Sequence, residues 1–297
     1  MNSALPTKLS FSGHDSFHCR QLWLKKGYDF IKKGKKFSDE DAVVSLGVGK
    51  NMVSAIYFWM KAFGLIDKNG LLTEIAIYLL DDDGKDPYLE DEATLWILHY
   101  QLVSQGIAST YCLVFNLLRK EKIEFTKENF FAFVFRKAEE MGITSINKNT
   151  LASDFEVFIK TYLRTDSQSK DKEDTFSGLL TDLNLVVRDE KKQVDTKSSR
   201  TYYSIPNEFR SNIPVEIILY VVLDDETIDT SFSMKSLVEN NNQVGSVFAL
   251  QKDALQNIVE AIAQKDYWVF NDHAGIKEIQ FKNKLDKFWA LDQYYGN

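Results

Sequence analysis

Two cysteines, four prolines, four histidines and the lack of any apolar run as long as a membrane span put several protein classes out of reach of this 297-residue chain. Cys19 and Cys112 lie far apart and match neither a zinc spacing nor a disulfide framework, so they are expected to be packing residues in a reducing cytoplasm. The N-terminus, MNSALPTKLS, lacks a basic stretch followed by an apolar core, and runs such as Ile217 to Leu223 are too short to cross a bilayer. A cytoplasmic protein without membrane contact is the expectation. With 44% hydrophobic and 27% charged residues, the composition is that of a folded chain, long enough for two or three domains.

Catalytic signatures are scarce as well. There is no Gly-x-Ser-x-Gly elbow, no His-Glu-x-x-His helix and no credible Cys/His pair. Gly47-Val48-Gly49-Lys50 lacks the spacing of a phosphate loop and the hydroxyl that should follow, since Asn51 stands there. His14, His18 and Cys19 would share a face if helical, but a metal needs further ligands, and nothing brings His99, Cys112 or His273 to them. The acidic run Asp81 to Glu92 lacks the spaced oxygens of a calcium loop and reads as a solvated loop. A non-enzymatic protein without metal or cofactor is therefore expected.

What the sequence does hold is a charge asymmetry. The chain carries a net charge of -7, yet residues 1–70 contain 11 Lys/Arg against 6 Asp/Glu, so a basic end precedes an acidic remainder. The segment from Phe17 reads as an amphipathic helix ending near Gly34, with Lys25, Lys26, Lys32 and Lys33 on a cationic face. Ser38 and Asp41 form a weak capping pattern for a helix through Leu46. A Gly47-Val48-Gly49 turn leads into a second helix, Lys50 to Phe63, whose Val53, Ile56, Met60 and Phe63 make a buried stripe. Leu65 to Thr73, with its Asn69-Gly70 turn, reads as a short ribbon.

Helix, turn, helix and ribbon in that order predict a winged helix-turn-helix. A projecting second helix would offer Lys50, Asn51, Ser54 and Lys61 to a major groove, with Lys68 and Asn69 reaching an adjacent phosphate or minor groove. Double-stranded DNA is thus the expected partner. The competing expectation is a protein-docking module, because winged folds also serve that purpose.

Further along, Ala93 to Val103, Tyr111 to Leu118, Asn129 to Met141 and a helix capped at Asn147 predict a helical middle domain over 81–165. The charged stretch 166–174 predicts a boundary. Beyond it, a helix over 179–187, a ribbon closing at Ile205, helices at 215–223, 234–239, 253–264 and 282–295, and strands near 268–271 and 276–281 repeat the helix-then-ribbon order. The expected fold is mainly α with short β-ribbons: tandem winged helix-turn-helix modules at 1–80 and 166–297 around a helical middle domain.

The stretches Phe11-Ser12-Gly13-His14-Asp15-Ser16-Phe17, Leu46-Gly47-Val48-Gly49-Lys50-Asn51-Met52-Val53 and Asp86-Pro87-Tyr88-Leu89-Glu90-Asp91, with Arg20 and Trp23 to Gly27, carry a resemblance. The chain resembles the bacterial family filed as domain of unknown function 4007, over nearly its whole length. That resemblance supplies no catalytic residues. It implies a gene neighbourhood with phosphoadenosine phosphosulfate reductase-like proteins, in clusters for DNA modification and phage defence. An accessory protein is therefore expected that binds duplex DNA or docks such an enzyme.

Overall fold

The computed structural model describes residues 8–143, 145–164, 177–192 and 199–296. They divide into two compact units, with the chain passing from one to the other between Ile205 and Pro206. Residues 8–80 and 81–164 belong to one unit, and the expected boundary at 166–174 lies outside the described residues.

The N-terminal unit opens with α1 (Gln21–Lys32), which stops where Gly34 takes φ +75°, a conformation that costs glycine little. Trp23, Leu24, Tyr28 and Phe30 are buried. Gly27 lets α1 lie close to the third helix, since a Cβ there would come within 2.8 Å of Met60. α2 (Ala42–Leu46) ends at left-handed Gly47, and α3 (Lys50–Ala62) follows after extended Gly49. Val53, Ile56, Met60 and Phe63 are all buried, as their spacing predicts.

Two local expectations change. Asp41 does not cap α2 through its side chain; its carboxylate accepts hydrogen bonds from Lys35 and Ser45 instead. The ribbon at 65–73 is reduced to one bridge, Ile66 to Leu72, because the Asp67 carboxylate accepts the Asn69 and Leu71 amides and folds the segment into a tight turn.

An unforeseen helix, α4 (Glu74–Leu80), precedes the acidic loop. α5 (Glu92–Ser104), capped by Asp91, is buried on all sides from Ala93 to Val103. α6 (Ser109–Leu113) passes through a π-helical turn at Val114–Leu118 into α7 (Arg119–Glu121). After the short strand β1 (Glu124–Phe125), α8 (Lys127–Glu140) is opened by a Thr126/Asn129 capping box, and α9 (Lys148–Tyr162) by Asn147. Aromatic rings fill this core: Tyr111 and Phe115 each contact Phe158 and Tyr162, with His99 Nδ1 2.8 Å from the Tyr162 hydroxyl.

The helix expected over 179–187 is a single 3-10 turn, Thr181–Leu183, closed by left-handed Asn184. The chain then enters β2 (Val187–Lys192) and β3 (Ser199–Ser204). β3 lies between β1 and β2 in an antiparallel sheet, Tyr203 pairing with Phe125 on one side and Arg188 on the other.

The C-terminal unit starts with α10 (Val215–Asp224) behind Pro214, its Ile217 to Val222 buried. There follow β4 (Ser231–Ser233), α11 (Met234–Glu239), α12 (Val244–Val247), α13 (Lys252–Gln264), β5 (Trp268–His273), β6 (Ile276–Phe281) and α14 (Lys287–Tyr295). β6 lies between β4 and β5 in a second antiparallel sheet, Ile279 pairing with both Phe232 and Phe270. The indole of Trp268 donates to the Val259 carbonyl at 2.8 Å and ties β5 to α13. The protein is mainly α with two small three-stranded sheets, and among the described residues no helix is long and apolar enough to cross a membrane.

Candidate nucleic-acid interface

The ten residues expected to contact DNA separate into three groups. Lys25 and Lys32 pair with the acidic loop, Lys25 from a buried position and Lys32 from an exposed one. Lys25 is buried, and its ammonium bonds Asp29 and Asp82 at 2.9 Å each and the Leu80 carbonyl at 3.0 Å. Lys32 lies 2.8 Å from Asp81 and 3.1 Å from Asp82, while the Tyr28 hydroxyl donates to Asp81 at 2.6 Å. The hydrogen bonds from Lys32 and Tyr28 hold the Asp81 carboxyl well below the usual carboxylate range, and those from Lys25 and Lys32 lower Asp82. Burial, helped by Asp81, pushes the Tyr28 phenol up to about 12. Two of the lysines expected on a cationic face are thereby paired within the molecule.

The second group surrounds the start of α3. Lys50 and Asn51 are exposed there. Lys26, whose ammonium donates to the Leu46 carbonyl at 3.3 Å, lines two neighbouring pockets. One, also bordered by Lys33, has a volume of about 460 Å³. The other, about 1040 Å³, is mainly apolar, with Leu22, Trp23, Val43, Val48 and Met52 on its walls.

The third group converges on a groove of about 810 Å³ along the exposed face of α3. Ser54 and Lys61 come from α3 itself and Asn69 from the 67–71 turn, with Lys68 exposed beside it. The structure adds Lys35, Lys36, Phe37 and Ser38 from the loop after α1, together with Tyr57 and Phe58. Among the described residues no carboxylate lines this groove, although the chain as a whole is acidic. Phe37 and Tyr57 rings meet at 5.1 Å, and the Lys61 ammonium rests 4.3 Å from the centre of the Tyr57 ring. Ser10 and Gly13 form a further wall, and a Cβ on Gly13 would come within 2.3 Å of the Phe58 ring.

Lys35, Lys36 and Phe37 were legible in principle. Their Lys-Lys-Gly-Lys-Lys-Phe run is interrupted by Gly34, and it is the turn at Gly34 that separates them from α1 and brings them to the groove.

His14, His18 and Cys19 do not lie on one helix face, because the segment before Gln21 is not helical. His14 Nε2 lies 2.9 Å from Asp154, the Cys19 thiol donates to the Arg20 carbonyl, and burial raises that thiol well above its ordinary pKa. Among the described residues no group of three or more His, Cys, Asp or Glu is placed to hold a metal ion.

Fold and groove together define a mainly helical, two-unit protein whose N-terminal unit carries a cation-rimmed aromatic groove. The chain belongs to the family described as "Protein of unknown function (DUF4007)", whose pattern it matches over residues 11–295. It is similar to two solved structures: "SspB crystal structure", at 27% identity and a TM-score of 0.82, and "Magnesium ion-bound SspB crystal structure", at 25% identity and 0.80. Each comparison covers 97% of this chain and 88% of the other. No curated protein matches it.

Proposed function

We propose that this protein binds duplex DNA through the exposed face of α3, as an accessory component of a bacterial DNA-modification or phage-defence system. One observation carries the reading: in a chain of net charge -7, the groove beside α3 gathers Lys36 and Lys61 with Ser54 and Asn69, and Lys35 paired with Asp41 at its edge, and among the described residues no acidic residue stands on its walls. Cations of this kind attract phosphates, and the short hydroxyl and amide side chains supply directional hydrogen bonds. On this reading α2, the Gly47 turn and α3 act as a helix-turn-helix with the 67–71 turn as a vestigial wing. The C-terminal order α10, β4, α11, α12, α13, β5, β6, with β6 between β4 and β5, is read as a second winged module. Lys25 and Lys32 serve the fold and not the interface.

Fluorescence anisotropy with a mixed-sequence duplex across a salt series tests the proposal. Binding that weakens steeply with salt and is impaired in Lys36→Ala/Lys61→Ala supports it; no binding at low salt overturns it. Because one similar structure is described as magnesium ion-bound, the series is run with and without Mg²⁺ and the strands are checked for integrity. Cleaved strands would establish an activity beyond binding and overturn the purely accessory role.

A second reading has its own observation. Leu22 and Val43 are 53% and 39% exposed around the 1040 Å³ apolar pocket, and Val44 beside it is 83% exposed, which favours a protein surface at the turn between α2 and α3. The partner that fits the neighbourhood implied by the family resemblance is a phosphoadenosine phosphosulfate reductase-like enzyme. Co-purification that survives nuclease treatment and is lost in Val43→Asp/Val44→Asp would favour this adaptor; a lone protein with tight DNA binding would oppose it.

A further inference from the structure

We infer that the α3 groove takes an unstacked nucleotide, with its base on the aromatic floor and its phosphate on the lysine rim; the inference rests on the duplex-binding reading and deepens it. The base pairs of an intact duplex offer only their edges to a protein, so an aromatic floor is of no use to a stacked base. Here the floor is specific. Tyr57 is half-buried against Phe37, with Phe58 beside it in the wall. The cavity, about 810 Å³, falls within the range of small-ligand pockets, which runs to roughly 1,000 Å³.

The polar groups sit where such a ligand needs them. Lys61 rests on the Tyr57 ring, one turn along the same helix. An incoming base takes the place of that ammonium on the ring, and Lys61 turns to the phosphate together with Lys36. One cation–π contact is exchanged for a base stack and a charge-assisted hydrogen bond. Lys35 contributes less, since its ammonium is 2.7 Å from Asp41. Gly70, at φ +80°, closes the turn that brings Asn69 to the groove beside the Tyr57 hydroxyl.

Anisotropy with two probes separates this inference from the reading beneath it: a fully paired duplex, and the same duplex with one bulged, unpaired thymidine. The expected result is about tenfold tighter binding of the bulged probe, because the cost of unstacking has already been met. Tyr57→Leu and Tyr57→Ala should bring the ratio of the two affinities near one, while Tyr57→Phe keeps it. Equal affinities of the wild-type protein for both probes, with salt-dependent binding intact, overturn the nucleotide pocket alone. No binding to either probe overturns the duplex reading with it.

Discussion

His14 Nε2 lies 2.9 Å from the Asp154 carboxylate, and both residues are buried. The same carboxylate accepts the Ser12 amide at 2.7 Å and the Thr110 hydroxyl at 3.3 Å. One acid on α9 thus anchors the segment whose Ser10 and Gly13 form a wall of the groove, and the His14 ring stacks on Trp59 of α3 at 5.8 Å. Asp154→Ala would take this acceptor from three donors, two of them on the buried His14 and Thr110. A loss of about 3 kcal/mol is expected, read as a lower urea midpoint with an unchanged slope.

Gly13 is held to glycine by the same wall. Gly13→Ala would drive a Cβ into the Phe58 ring, which is 7% exposed and has little room to retreat. A destabilisation of about 1–3 kcal/mol is expected by urea unfolding, with weaker duplex binding in the remaining folded protein.

Salt dependence measures how many rim lysines meet phosphate. Lys36→Ala/Lys61→Ala is expected to make the log–log salt slope shallower by about one to two units, roughly one per contact. Lys32→Ala is expected to leave the slope unchanged, because its charge is spent on Asp81 and Asp82. Anisotropy titrations at four or more salt concentrations check both.

The difference between Lys32 and Lys61 shows where sequence reading stops. The buried stripe of α3 is legible because Val53, Ile56 and Met60 recur at helical spacing and each must leave water. Nothing local to Lys25 tells that Asp82, 57 residues on, will take its ammonium. A cationic helix face and a neutralised one read alike. The groove has the same origin: Ser54, Lys61 and Asn69 were legible as exposed polar residues, but Lys36 and Phe37 join them through the turn at Gly34. α4 escaped because Glu74–Leu80 is a short apolar run without distinguishing period, and β1 and β4 because strands of two and three residues leave no alternation to read.

In the C-terminal unit, Gly245 sits where α12 meets the backbone of α11, and an added Cβ would approach the Val238 Cα and carbonyl to 2.7 Å. Backbone on both sides cannot yield as a side chain can. Gly245→Ala is expected to destabilise this unit by about 2 kcal/mol or more, visible as a lower Tm by circular dichroism.

The Lys25, Tyr28, Lys32, Asp81 and Asp82 cluster should give the N-terminal unit two pH limits, and their signs follow from the shifts. The Asp81 and Asp82 carboxyls are lowered by their hydrogen bonds to lysine and tyrosine, so they ionise more readily in the folded protein than in the unfolded chain. Their contribution is complete above the unfolded carboxylate pKa, about 3.9, and is lost as pH falls below it through the lowered folded values. At the other end Tyr28 is pushed up to about 12, by burial and then by Asp81. Lys32 is raised by its hydrogen bonds to Asp81 and Asp82; for Lys25, burial opposes the charge but the bonds to Asp29 and Asp82 outweigh it. These three contribute fully below their unfolded values, near 10, and the contribution disappears as pH rises through the folded ones. Tm measured from pH 2 to 12 should therefore fall at both extremes. Asp81→Asn/Asp82→Asn is expected to lower Tm at pH 7, to flatten the acid limb and to weaken the alkaline one in part, since Lys32 loses both carboxylates while burial still raises Tyr28 and Asp29 still holds Lys25. A wild-type acid limb no steeper than that of the double variant would show that the cluster contributes no net stability.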